Sequence, residues 1–256
     1  MAQIDTARHD RPSLRSVLRG LLEPTGLLPL ARRVKWHLQA RGWLRWTPLV
    51  SSQQYSAGCD SAIQKLREDG HSFGSYLEFG VSRGTSMSCM HHALRKAGLS
   101  DITLFGFDSF EGMPAEAAEQ GWDPGRFASA MSMTERYLGD HGVDVNDVRL
   151  VKGWFQDTLT DEAAAELGIE KASLIMVDCD IYSASKEALT FCAPLIKDKA
   201  IIFFDDWGSR FNKGAIGQNE AFNEFIADNP DLSAEPLAAY SSDARVFLVH
   251  RSGGQT

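Results

Sequence analysis

From residue 72 onward, short apolar runs alternate with longer segments whose apolar positions recur at helical spacing. Continuous apolar strands separated by helices are typical of a parallel sheet that is buried on both faces. The pattern therefore predicts an α/β fold with a doubly wound, mostly parallel sheet. The predicted strands are Ser75–Val81, Ile102–Phe107, Val148–Val151, Leu174–Val177, Ala200–Phe204 and Ala244–Val249, and the predicted helices are Thr85–Lys96, one within Ser129–Gly139, Asp161–Leu167, Ser183–Cys192 and Gln218–Ala227.

The first 70 residues follow a different pattern and predict a helical N-terminal extension to a main domain over 71–256. Arginines alternate with leucines in two helical pieces, Pro12–Leu22 and Leu30–Leu38, and a more polar helix follows over 51–70. Three tryptophans favour burial of this region: Trp36, Trp43 and Trp46. We expect it to pack on its own domain's cleft or on a second subunit, while a basic amphipathic helix lying on anionic lipid is the alternative.

Charge and cysteine content exclude several classes of protein. The 256 residues carry 26 Lys+Arg and 34 Asp+Glu, a net charge of −8, which argues against a broad nucleic-acid-binding face. No apolar run is long enough for a membrane span, and no cleavable signal sequence is convincing. The four cysteines are scattered without a CxxC pair, which fits a reducing compartment. We therefore expect a cytoplasmic protein without stable membrane insertion and without a nucleic-acid partner.

Residues directly after the strands carry the candidate chemistry, because ligands of doubly wound sheets bind beyond the carboxyl ends of the strands. Gly80 and Gly84 flank the turn after the first strand, with Glu78 preceding it. The turn lacks the G-x-G-x-x-G pattern of dinucleotide sites. Its acidic-x-Gly-x-x-x-Gly spacing resembles the first motif of class I S-adenosylmethionine-dependent methyltransferases, and an ordinary strand-to-helix turn is the alternative.

The second and third strands end in residues that suit a nucleoside. Asp108 can accept both hydrogen bonds of a ribose diol, although it could instead cap the next segment. Gly153, Trp154 and Phe155 offer a flat apolar wall for an adenine, although Trp154 could equally lie at the edge of the core.

Four carboxylates follow the fourth and fifth strands: Asp178, Asp180, Asp205 and Asp206. Neighbouring parallel strands lie about 4.8 Å apart, so these groups converge. A hard divalent cation such as Mg²⁺ would relieve their repulsion, whereas the alternative is that some of them cap helices or pair with basic side chains. The spacing predicts a magnesium site.

Taken together and in order, five segments resemble the macrocin O-methyltransferase family over residues 75–250. Members of that family are bacterial, Mg²⁺-dependent enzymes that methylate sugar hydroxyls of natural products and related glycans. The sequence departs from the family at Ser185, where Thr is frequent, and at Trp207, where Tyr is frequent. The five segments are Glu78-Phe-Gly-Val-Ser-Arg-Gly-Thr-Ser, Gly106-Phe-Asp-Ser-Phe-Glu-Gly-Met-Pro, Lys152-Gly-Trp-Phe-Gln-Asp-Thr-Leu, Val177-Asp-Cys-Asp-Ile-Tyr-Ser-Ala-Ser and Phe204-Asp-Asp-Trp.

The resemblance implies a Rossmann-like class I methyltransferase fold and a role for each motif. It implies that Asp178 is the general base, and Asp180 is the second candidate for this role. It also implies that the N-terminal region contributes dimer contacts and part of a lid. Residues 208–219 are predicted to form an acceptor-side loop, and Glu111–Phe127 is predicted to form an insertion or lid over the site. The implied S-adenosylmethionine-binding residues are Glu78, Phe79, Gly80, Ser86, Asp108, Ser109, Gly153, Trp154, Phe155 and Asp178, and the implied Mg²⁺ ligands are Asp178, Asp205 and Asp206.

The expected function is therefore transfer of a methyl group from S-adenosylmethionine to a hydroxyl of a small-molecule glycoside or sugar, by a homodimer or higher oligomer. A catechol-type acceptor suits the same metal chemistry, because two adjacent hydroxyls can chelate one ion. A nucleoside- or glycan-binding protein without turnover is a rival of another class. A phosphoryl-transfer enzyme is disfavoured, since the sequence contains no G-x-x-x-x-G-K-[ST] motif.

Overall fold

A computed structural model describes residues 28–45, 48, 50–68, 70–207 and 216–253. Within these residues the chain forms one seven-stranded sheet with the order β3-β2-β1-β4-β5-β7-β6. The first five strands are parallel, and β7 pairs antiparallel with both β5 and β6. The strands are β1 (Ser75–Phe79), β2 (Leu104–Asp108), β3 (Val148–Lys152), β4 (Ala172–Val177), β5 (Lys199–Phe204), β6 (Leu232–Leu237) and β7 (Arg245–Arg251).

Helices cover both faces of this sheet, so the predicted doubly wound α/β fold is confirmed. Two short 3₁₀ helices, Ala115–Gln120 and Ala193–Leu195, complete the regular structure of the described residues. The α-helices are α1 (Leu28–Ala40), α2 (Ser52–Glu68), α3 (Thr85–Lys96), α4 (Met131–Asp140), α5 (Phe155–Thr158), α6 (Asp161–Leu167), α7 (Tyr182–Cys192) and α8 (Gln218–Asp228).

The sheet separates two apolar cores. On one face, Phe79 and Phe107 pack with Phe191 of α7 and Phe222 of α8. The other core includes residues of α2 and α3 with alternate strand residues. Both cores are filled because β1, β4 and β5 are buried along nearly their whole length, as their continuous apolar runs predicted.

Strand β6 is the main element that the pattern did not predict. Its first residue, Leu232, is buried, but the four that follow are exposed and include Pro236. Proline lacks a backbone N–H and is tolerated at a sheet edge, where β6 lies. An exposed edge strand carries little apolar signal, which explains the omission.

Helix α1 lies against the loop after β1. The Arg83 side chain donates a hydrogen bond to the Gln39 carbonyl at 2.5 Å, and the Ala130 N–H donates to the Ala40 carbonyl at 3.1 Å. Trp43, which we expected to be buried, is 73% exposed in this single chain. None of the described helices is both long and apolar enough to cross a membrane. Two predicted features lie outside the described residues: the helical piece Pro12–Leu22 and Trp46.

Candidate active site

The strand order reverses between β1 and β4, and a cavity of about 360 Å³ lies at the carboxyl ends of the strands there. Most residues predicted for the site line this cavity, and so do Lys35, Trp36 and Gln39 of α1. The predicted residues that line it are Gly80, Ser86, Asp108, Ser109, Gly153, Trp154, Phe155, Asp178, Asp180, Asp205 and Asp206.

Gly80 allows the loop after β1 to lie directly against the end of β4. Its φ is +91°, and a Cβ atom at this position would lie 1.8 Å from the backbone oxygen of Asp178. No other residue type fits there, since L side chains rarely adopt this conformation and no backbone tolerates such an approach. The glycine thus allows the loop after β1 to lie beside Asp178.

Asp108 anchors the same loop from the other side. Its carboxylate accepts hydrogen bonds from the backbone N–H groups of Val81, Ser82 and Phe110, at 2.8, 2.7 and 2.6 Å. Burial raises the pKa of Asp108, and these three donors oppose the rise. The structure therefore gives Asp108 a backbone-capping role, which was the alternative to the ribose contact, and the ribose contact itself stays a prediction.

Glu78 and Phe79 lie behind the cavity wall. The Glu78 carboxylate is fully buried and accepts hydrogen bonds from the hydroxyls of Tyr76 and Ser86, at 2.5 and 2.7 Å. Burial raises the pKa of Glu78 to about 7. The Phe79 ring packs edge-on against Phe155 with a centroid distance of 5.9 Å. Both residues thus support lining residues, Glu78 through Ser86 and Phe79 through Phe155.

Asp178, Asp205 and Asp206 form the predicted three-carboxylate group. Each offers an oxygen atom, and the three atoms lie within 4.8 Å of one another. Burial and the neighbouring carboxylates raise the pKa of Asp178 and Asp206 well above the usual range. The Oδ2 atom of Asp206 is buried without a hydrogen-bond partner among the described residues. Hard oxygen donors, mutual repulsion and an unused buried acceptor all fit an Mg²⁺ ion.

Asp180 lies beside this group but is not part of it. It is a buried non-glycine residue with a φ of +62°, which is a strained conformation, and it lines the cavity. Burial raises the pKa of Asp180 to about 7, and the Arg126 guanidinium opposes the rise. Asp180 is thus a carboxyl group on the wall of the cavity whose pKa is raised to about 7.

Three residues that the sequence analysis missed contact the carboxylate-bearing strand ends. The Tyr240 hydroxyl donates a hydrogen bond to Asp205 at 2.5 Å, and Tyr55 lines the cavity with its ring 5.3 Å from that of Tyr240. The Gln218 side chain accepts from the Asp206 N–H at 3.0 Å and donates to the Val177 carbonyl at 3.1 Å. The hydrogen-bonded partners are 12 to 41 positions apart, and Tyr55 and Tyr240 are more distant still, so no local motif signals these contacts.

Residues at both ends of the predicted lid segment Glu111–Phe127 line the cavity. Met113 exchanges backbone hydrogen bonds of 2.8 Å with Arg126 and Gly125, which closes the segment on itself. The Arg126 guanidinium lies over the rings of Trp122 and Phe127, at 4.8 and 4.6 Å from their centroids. Of the other predicted loop, residues 208–215 lie outside the described residues.

Comparison with known proteins shows the family and the fold to which this chain is similar. The sequence profile of the family described as Macrocin-O-methyltransferase (TylF) matches residues 56–228. A 4'-O-methyltransferase from Streptomyces olivaceus, named for 8-demethyl-8-(2,3-dimethoxy-alpha-L-rhamnosyl)-tetracenomycin-C, is 28% identical over 143 residues, which are 52% of this chain and 53% of that protein. The demethyldecarbamoylnovobiocin O-methyltransferase of Streptomyces niveus is 28% identical over 144 residues, again 52% and 53% of the two chains.

The matched segment therefore spans about half the length of these curated relatives. Among solved structures, that of the O-methyltransferase NovP superposes with a TM-score of 0.63 at 21% identity, covering 78% of this chain and 80% of the other. That likeness supports the overall fold.

Proposed function

The chain belongs to the macrocin O-methyltransferase family, and from this premise we propose that it methylates a hydroxyl of a sugar in a natural product or glycan, with S-adenosylmethionine as the methyl donor. The observation that carries the proposal is one cavity that brings the glycine loop and the three-carboxylate group together. The named relatives support the substrate class, since one is named for a rhamnosyl-bearing compound.

The first half of the cavity suits the methyl donor. Gly80 lines this half with its backbone, and Ser86, held by Glu78, lies at the start of α3, where backbone N–H groups are available to a ligand. Trp154 and Phe155 form an apolar wall at the end of β3. When bound, S-adenosylmethionine supplies a methyl group on a sulfonium, so these residues mainly bind and orient it.

The second half of the cavity suits a metal and an acceptor hydroxyl. Asp178, Asp205 and Asp206 would hold Mg²⁺, which when bound lowers the pKa of an acceptor hydroxyl. Asp180 would accept the proton: it lines the cavity outside the three-carboxylate group, whereas a carboxylate that ligates a cation is a weaker base. We therefore propose Asp180 as the base and Asp178 as a metal ligand.

The proposal is tested with the purified full chain and a panel of glycosides, catechols and free sugars. Transfer of labelled methyl from S-adenosylmethionine is expected to a glycoside, to stop with a chelator and to return with Mg²⁺. Binding of the demethylated donor product should survive chelation. Its dissociation constant should be micromolar, which corresponds to a binding free energy of roughly −8 kcal/mol. Full transfer by metal-free protein would refute the metal site, and transfer to catechols alone would refute the sugar acceptor.

Two variants assign the carboxylates. Asp178→Asn should weaken Mg²⁺ binding, because it removes one charge from the three-carboxylate group. Asp180→Asn should retain Mg²⁺ and donor binding but lose turnover at saturating metal, because an amide cannot accept the proton. The reverse pattern would return the role of base to Asp178.

A further inference from the structure

The carboxylate of Asp205 is held by a tyrosine from a distant part of the chain. The Tyr240 hydroxyl donates a hydrogen bond of 2.5 Å to Oδ1 of Asp205. Tyr240 lies between β6 and β7, and it falls outside the segment 56–228 that matches the family profile. The contact is therefore a feature of this chain that neither the sequence motifs nor the family match points to.

The surroundings of Tyr240 fix the position of its ring. The ring lies against Tyr55 of α2 and Phe203 of β5, with centroid distances of 5.3 and 6.1 Å. Gly58 of α2 makes room for it, since a Cβ atom there would lie 3.1 Å from the Cβ of Tyr240, closer than carbon atoms normally pack. A glycine inside a helix costs about 1 kcal/mol relative to alanine, and this close approach accounts for its presence.

The hydrogen bond has a direct consequence for the three-carboxylate group. An ionised carboxylate has two oxygen atoms, and Tyr240 engages only Oδ1 of Asp205. The bond thus restrains the rotation of the Asp205 carboxylate, and Tyr55 is a second hydroxyl that acts on it. Tyr240 does not itself line the cavity, so it reaches neither acceptor nor donor directly.

We propose that Tyr240 is a positioning residue of the metal site, which orients Asp205 so that the three carboxylates are arranged for a divalent cation before it binds. This inference rests on the proposed metal-binding function of Asp178, Asp205 and Asp206. A hydrogen-bond partner of a metal ligand holds that ligand in its binding orientation. Without the partner the ligand rotates more freely, and the site binds the metal more weakly.

The test compares Tyr240→Phe with a matched control, Tyr182→Phe. Tyr182 also donates its hydroxyl to a carboxylate, that of Glu224 at 2.7 Å, but lies outside the cavity. Both changes remove one hydroxyl and keep the ring. Calorimetric titration of the full chain with Mg²⁺ alone should give a dissociation constant roughly 10- to 100-fold higher for Tyr240→Phe and an unchanged one for Tyr182→Phe.

Two further readouts separate positioning from loss of structure. Binding of the demethylated donor product should be unchanged in Tyr240→Phe, whereas the rise in its melting temperature at a given Mg²⁺ concentration should be smaller than in the unaltered chain, because stabilisation by a ligand follows its affinity. Equal Mg²⁺ affinity in Tyr240→Phe and the unaltered chain would overturn the inference alone, and so would loss of donor-product binding in Tyr240→Phe, because it would indicate a disrupted structure instead of a rotated carboxylate. A failure of the unaltered chain to bind Mg²⁺ would overturn it together with the proposed metal site.

Discussion

Replacing Asp108 with alanine should destabilise the loop after β1, because the carboxylate accepts three backbone hydrogen bonds. Two of the donors belong to the buried residues Val81 and Phe110, so water does not readily replace the lost acceptor. A buried N–H group left without an acceptor costs about 1–3 kcal/mol of stability. Removing the buried charge of Asp108 offsets part of this cost. We expect the free energy of unfolding to fall by about 2–4 kcal/mol.

Urea denaturation of the full chain measures this change. The matched control is Asp144→Ala, which removes an exposed aspartate whose Oδ1 accepts the Asn146 N–H at 2.9 Å, and which should cost less than about 0.5 kcal/mol. Equal midpoints for the two variants would refute the anchoring role of Asp108.

Calorimetry with the demethylated donor product separates the two roles of Asp108. If Asp108 acts only through the loop, affinity and stability should fall together. If it holds the ribose directly, affinity should fall by about 1.5–3 kcal/mol while the free energy of unfolding stays unchanged.

Two other residues of the same region give predictions of stability. The folded state keeps a proton on Glu78 up to about pH 7, whereas an unfolded glutamate releases it near its ordinary value of 4.5, so this group's contribution to stability falls as pH rises between these values. The control is Glu78→Gln, whose side chain does not titrate. Relative to it, the free energy of unfolding of the unaltered chain should fall by up to about 3 kcal/mol between pH 4.5 and 7. Parallel plots of this free energy against pH for the two proteins would contradict the prediction. Gly80→Ala should cost about 3 kcal/mol or more, because its Cβ would strike the backbone of Asp178. Gly98→Ala is the control, with a φ of +71° and nothing within 4 Å, and should cost only about 1–2 kcal/mol in the same denaturation assay.

The sequence pattern predicted the fold well because the central strands are buried on both faces. A strand such as Leu174–Val177 must be apolar throughout, and this composition is visible in the chain itself. The carboxylates were predictable for a related reason: in a parallel sheet, residues that follow neighbouring strands meet at one edge, so Asp178 and Asp205 had to converge.

The remaining features depend on contacts that no local pattern records. Gln218 looks like an ordinary first residue of a helix, and only the folded chain shows that it joins Asp206 to the end of β4. Asp108 offered two interpretations, since a carboxylate after a strand suits a ribose and a backbone turn equally. The structure shows which groups occupy its oxygens. Edge strand β6 lacks an apolar run because its middle is exposed.

The antiparallel pairing of β7 with β5 also determines when the three-carboxylate group gains its contact with Tyr240 during folding. Asp205 follows β5 directly, whereas its partner Tyr240 reaches it only after β7 has paired with β5 and β6 has joined the edge. Strands β6 and β7 and the intervening Tyr240 follow β5 in the chain, so during synthesis this pairing forms after the other strands are available. A chain emerging from the ribosome would therefore assemble the glycine loop and the wall formed by Trp154 and Phe155 first. Asp205 of the three-carboxylate group would gain its hydrogen bond from Tyr240 only after β6 and β7 had been synthesised and had paired with β5.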